Sequence, residues 1–102
     1  LLAQVRTTQD QTWQLLHTAG QTIARAHEAV GRAGGDPRAD AAHLERAREL
    51  IRKAQWFWDS VAAENSMGAH NPGGNLNILG QSIDLAHQAI EAAVQAAGAP
   101  TK

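Results

Sequence analysis

Three stretches of this sequence repeat apolar or small residues at alternating spacings of three and four. The first runs Leu2, Val5, Gln9, Thr12, Leu16, Ala19, Ile23, Ala26, Val30, Ala33. The second runs Leu44, Ala47, Ile51, Ala54, Trp58, Val61, Asn65, Gly68, and the third Leu76, Leu79, Ile83, Ala86, Ile90, Ala93, Ala97. A sustained 3–4 alternation is the seam of a coiled coil or a long helical bundle, because it keeps one narrow stripe of a 3.6-residue helix facing its neighbours. No segment alternates with period two and β-branched residues are sparse, so no strands are expected.

The breaks between these stretches carry helix-ending chemistry. Gly34-Gly35 can take the left-handed conformation that closes a helix, and Asp36-Pro37 offers a cap followed by proline at a first helical position. Gly68 can end the second helix, Asn71 can cap a third, and Pro72 fits its first turn, while Gly98-Ala99-Pro100 stops it. Helices are therefore predicted over about 3–33, 37–67 and 72–97. Short connections force neighbouring helices to run antiparallel. The fold class that follows is all-α, an elongated antiparallel three-helix bundle with coiled-coil-like seams, forming one domain over residues 1–102.

Composition bounds what such a bundle can do. Only 43% of residues are hydrophobic, many of them alanine, so the seams allow close helix approach but bury little area per layer. Trp13, Leu15, Leu50, Phe57, Ile78 and Leu85 fall off the seams and form second stripes, which on long helices point to another protein surface. Nine basic and ten acidic side chains give a formal charge of −1, with no basic stripe for nucleic acid. Cysteine is absent, which removes disulfides, thiolate metal sites, thiol nucleophiles and covalent haem attachment at Cys-x-x-Cys-His. No apolar run approaches the ~20 residues of a membrane span. Leu1 is not an initiator methionine, and the chain reads as a piece of something longer or a processed product.

Few residues offer chemistry. No two of the histidines at 17, 27, 43, 70 and 87 have the i, i+4 spacing of a helical metal pair. His87, with Asp84 and Glu91 on its face, reads as a solvated helix surface or a weak metal face. Ser66 beside His70 lacks the nucleophile turn and oxyanion loop of a hydrolase. Gly73-Gly74 has neither the lysine nor the preceding strand of a phosphate loop. His70 stands apart, since it lies between a helix end and a capped helix start. A ring held there can present a nitrogen to an external ligand with little entropy lost. Two readings stay open on the residues alone: an ordinary surface or capping histidine, or a ligand to metal or haem iron. Glu64, Asn65 and Ser66 are placed either to orient that ring or to satisfy the open carbonyls of the helix end.

Lys53-Ala54-Gln55-Trp56-Phe57-Trp58-Asp59, followed by Ala63-Glu64-Asn65-Ser66-Met67-Gly68-Ala69-His70-Asn71-Pro72, resembles the C-terminal helical region of the ammonia-forming cytochrome c nitrite reductases. These are pentahaem enzymes that reduce nitrite to ammonia. The likeness extends to Val5 through Ala29, with its Arg25-Ala26-His27 step, and to Gly80 through Ala89. It implies that His70 is the distal axial ligand of a bis-histidine haem iron in a larger parent. It further implies c-type haem in that parent, a periplasmic location, a homodimer formed through the long helices, and the remaining haem-bearing part of the chain as partner. Two departures stand out: Ala69, where an aromatic residue is expected beside the ligand, and Gly73-Gly74, where acidic residues are expected.

The family's lysine-ligated haem, its substrate-binding histidine, tyrosine and arginine, and its calcium ion have no motif here. These residues are accordingly expected to be a non-catalytic C-terminal domain of a nitrite reductase, with no haem bound in isolation. Two alternatives remain. One is a stand-alone helical dimerisation or interaction module. The other is the same domain of another multihaem reductase, acting on hydroxylamine or sulfite.

Overall fold

The computed structural model describes residues 2–66 and 72–98. Three helices account for nearly all of them: α1 (Leu2–Gly34), α2 (Ala41–Ser66) and α3 (Pro72–Gly98). At 1.5 Å per residue α1 is ~50 Å long. The helices pack along their lengths, most extensively α2 against α3, and no strand occurs among the described residues. The molecule is an elongated all-α bundle, as the seams require.

The α1–α2 connection differs from its sequence reading in two ways. Neither Gly34 nor Gly35 adopts a left-handed φ. Instead the Gly35 N–H reaches both Gly31 O and Arg32 O, at 3.1 and 3.2 Å, and the Asp36 N–H donates to Ala33 O. These tightened bonds satisfy carbonyls left open at the end of α1. The second helix also starts at Ala41 rather than near residue 37. Asp36 accepts from the Arg38 N–H at 2.9 Å and Ala39 N–H donates to Asp36 O, closing a turn over Pro37 instead of opening a helix. Asp40 is the cap: its carboxylate accepts from the His43 N–H at 2.9 Å while its carbonyl accepts the first helical bond, from Leu44. The Asp40 N–H in turn donates to Ala96 O, tying this loop to the last turns of α3.

The α1 seam is buried at every position whose side chain is described, from Thr12 through Ala33. In α2, Ala47, Ile51, Ala54 and Val61 are buried, while Leu44, Trp58 and Asn65 are half-buried. The α3 seam is displaced by one residue at every second position. Leu79, Ala86 and Ala93 are buried as expected, but Leu76, Ile83 and Ile90 are half-buried and Ala97 is exposed. Asn75, Ser82, Ala89 and Ala96 take the interior places instead. The reason is spacing between helices. Ten of the sixteen buried apolar side chains described are alanines, and of the six larger ones, Leu16, Ile23, Val30, Ile51, Val61 and Leu79, only Val61 and Leu79 are wholly shut off from solvent. At such close approach a serine fits where an isoleucine does not, and the Ser82 hydroxyl satisfies itself on Ala54 O of α2 at 2.8 Å.

Two core clusters follow one another along the axis. One spans Ile23 to Ala33, Ala47 to Ala54 and Ala86 to Ala96; the other joins Leu16, Ala19, Val61 and Leu79 at the end where α2 finishes and α3 starts. Leu50 and Leu85 pack against the first cluster, and Leu15 and Ile78 against the second. Most of the second stripe is therefore covered by the bundle itself. Trp13, at 63% exposed, and the half-buried Phe57 belong to neither cluster.

Candidate functional site

The second cluster supports the end of the bundle where α2 finishes and α3 starts, and Trp58 is its keystone. Its half-buried indole packs against both clusters and donates from Nε1 to Leu16 O of α1 at 2.7 Å. A helical carbonyl is normally screened by the side chain one turn on, but that residue is Gly20. A Cβ there would lie 3.4–3.6 Å from the Trp58 indole, so its absence gives the ring a clear approach. One turn earlier in α2, Ser82 makes its bond to Ala54 O from the other side. The two bonds register α1 and α3 on α2 close to where α2 ends.

Around this brace the surface is aromatic and grooved. Trp56 is 65% exposed and lies tilted against Phe57, ring centroids 5.5 Å apart. Trp13, Leu16, His17, Trp58, Ala62 and Asn65 line a groove of about 360 Å³ between α1 and α2. A smaller one of about 190 Å³ lies on the other side of Trp58, against Gly20, Ile23, Ala24, His27 and Gln55. Within it His27 Nε2 donates to Gln55 Oε1 at 3.0 Å, since an amide oxygen only accepts, while Gln55 Nε2 donates to Asp59 at 2.9 Å.

His70, together with Met67, Gly68, Ala69 and Asn71, lies outside the described residues. The residues flanking it are described. Glu64 and Asn65 are half-buried in the last turns of α2, which ends at Ser66, and Pro72 opens α3. The first turn of α3 contains an observation that the sequence seam did not reveal. Asn75 is 3% exposed, and its Oδ1 accepts no hydrogen bond from any of the described residues. A buried amide oxygen without a donor is costly, by ~1–3 kcal/mol, and native proteins rarely leave one.

His43 Nδ1 lies 2.6 Å from the Asp40 carboxylate at the α2 cap. The hydrogen bond from the His43 backbone, with the bond from its ring, holds the Asp40 carboxyl below its ordinary pKa. His87 is exposed, and Asp84, His87 and Glu91 do not converge: no group of three or more potential metal-binding side chains exists among the described residues. No helix among them is long and apolar enough to cross a membrane.

The described residues form a three-helix bundle that pairs an aromatic, grooved end with an alanine-rich, charged end. Comparison with known proteins gives its family. The cytochrome c552 family model matches residues 1–101, and the chain belongs to that family. Over 100 residues it is 43% identical to cytochrome c nitrite reductase subunit NrfA of Nitratidesulfovibrio vulgaris, covering 94% of this chain and 19% of that protein. It is 35% identical over 71 residues to a cytochrome c-552 of Desulfotalea psychrophila, covering 70% of this chain and 14% of the other. Among solved structures, the cytochrome c nitrite reductase catalytic subunit of Desulfovibrio desulfuricans superposes with a TM-score of 0.86 at 39% identity, over 95% of this chain and 21% of that one. The chain thus spans about a fifth of the length of these relatives.

Proposed function

We propose that these residues are the C-terminal helical domain of a periplasmic multihaem cytochrome c that reduces nitrite to ammonia. The observation that carries this reading is the 43% identity running over 94% of the chain against a fifth of a nitrite reductase subunit. The domain supplies no catalytic residue. Its work is to pack against the haem-bearing part of the parent, to contribute to a homodimer through its long helices, and to present His70 as distal axial ligand to one haem iron. The c-type haem belongs to the parent, since a chain without cysteine has no attachment site.

The described residues fit that assignment for His70 in one respect. An iron-bound imidazole ligates through one ring nitrogen and donates through the other, usually to a carbonyl, amide or carboxylate oxygen. Asn75 Oδ1, five residues on, is a buried acceptor that finds no donor among the described residues. When bound, the haem supplies one-electron transfer; what this chain contributes is the ligand, its orientation and an apolar surround that excludes water.

The test is His70→Ala in the intact parent protein, read by low-temperature electron paramagnetic resonance. One low-spin bis-histidine haem signal should be lost and a high-spin or exogenously ligated haem appear in its place. An unchanged set of low-spin signals would refute the assignment of His70.

A further inference from the structure

Charge is divided along the bundle. Twelve of the nineteen charged side chains lie between Arg25 and Lys53, in the end that holds the α1–α2 connection. At the opposite end the only charged residues are Arg6 and Asp10 in the first turns of α1 and Asp59 and Glu64 in α2; none lies from Gln11 to Ala24 or from Pro72 to Ile83. Exposed there instead are uncharged polar side chains such as Gln11, Gln14 and Thr18, together with Trp13 and Trp56. Depletion of charge with exposed tryptophan is the compositional mark of the centre of a protein interface, not of a solvated surface. A bundle whose other half is densely charged has no general need to avoid charge, so the depletion is local to this end.

We infer that this charge-poor end, centred on the groove formed by Trp13, His17, Trp58 and Asn65, is the seat of an apolar segment from the remaining part of the same polypeptide. The inference rests on the proposed function and adds the surface through which the domain is held. Three observations select the occupant. The relatives are about five times longer than this chain, so most of the parent lies outside it. The groove, about 360 Å³, is lined by an indole on each side, Leu16 and Ala62, with only an imidazole and an amide as polar groups, which suits apolar side chains and no ion. It opens at the end where α2 finishes and α3 starts, beside the residues that the proposed function turns toward the haem-bearing part. An interface formed once, within a single chain, also needs no charge to keep it soluble between encounters.

The experiment is carbethoxylation of the intact native holoprotein by diethyl pyrocarbonate, with rates for each histidine read by mass spectrometry and a measured total mass. His17 is exposed in the 102 residues alone. If the groove is filled, His17 reacts only through local opening, at least about tenfold more slowly than free N-acetylhistidine. That protection must persist on dilution to the monomer. A rate within about twofold of the free compound in a long, haem-bearing polypeptide overturns this inference and leaves the proposed function standing. Protection lost on dilution overturns it too, by making a second copy the occupant. A native polypeptide of only about 102 residues removes the proposed function, and the inference with it.

Discussion

Replacing Trp58 by alanine tests the bracing of the site-bearing end most sharply. Two separable losses are involved. The indole is half-buried between the two core clusters, and truncating a large buried aromatic costs ~3–5 kcal/mol; partial exposure brings the expectation to about 3 kcal/mol. The Nε1–H bond to Leu16 O is the second component, worth about 1 kcal/mol on its own. Leu16 O keeps its donor within α1, so no buried acceptor is orphaned by the change. Trp58→Phe should accordingly lose ~1–1.5 kcal/mol and Trp58→Ala, which removes both components, ~4 kcal/mol. The assay is urea unfolding of the 102-residue chain followed by helical circular dichroism. With a slope of ~1–1.5 kcal/mol per M, the alanine variant should shift the midpoint down by about 3–4 M. A loss under about 1 kcal/mol would refute the reasoning, and would mean that Trp58 is directed to the rest of the parent rather than to α1.

Other outcomes follow from the same contacts. Ser82→Ala should cost about 1 kcal/mol in urea unfolding, whereas Ser82→Leu should cost ~2–3 kcal/mol, because the α2–α3 contact has no room for a larger side chain. Gly20→Ala should be neutral or raise stability by up to ~0.5 kcal/mol, helix propensity gaining while its Cβ only touches the indole; Gly20→Val should push the indole off Leu16 O and shift the tryptophan emission. Asp40 is held below its ordinary pKa, chiefly by the His43 backbone N–H, so its contribution is present above the unfolded carboxylate value of about 3.9 and disappears as pH falls through the lower folded value. Acid titration of the unfolding midpoint should show that loss in the parent sequence and a smaller one in Asp40→Asn, where the cap stays uncharged. In the intact parent, Asn75→Leu should perturb the low-spin haem spectrum; a spectrum identical to wild type would separate Asn75 from the haem ligand.

The sequence exposed the α1 seam well because its large apolar residues, Leu16, Ile23 and Val30, are also its buried ones. In α3 the two properties part company. Leu76, Ile83 and Ile90 carry the hydrophobic signal, yet close packing favours Ser82, Ala89 and Ala96, which a hydrophobicity pattern undervalues. The start of α2 was obscured because two aspartates four residues apart both suit a helix start. Only the bonds show that Asp36 closes a turn and Asp40 caps the helix. Sequence cannot reveal that Gly20 faces Trp58 or that His17 enters a groove, since both depend on which helix faces which. His70 stands out by its position between two helix signals, and its role rests on resemblance; neither comes from periodicity.

The central claim is that these residues are one domain of a much longer haem protein. The direct measurement is the intact mass and haem content of the native polypeptide, together with the reading frame upstream of the codon for Leu1. The account requires a chain several times longer than 102 residues, with Cys-x-x-Cys-His attachment sites, a lysine variant of that motif, and covalently bound haem. A haem-free polypeptide of about 10.9 kDa, with a start codon just before Leu1 and no cysteines upstream, would contradict it and leave a free-standing helical module.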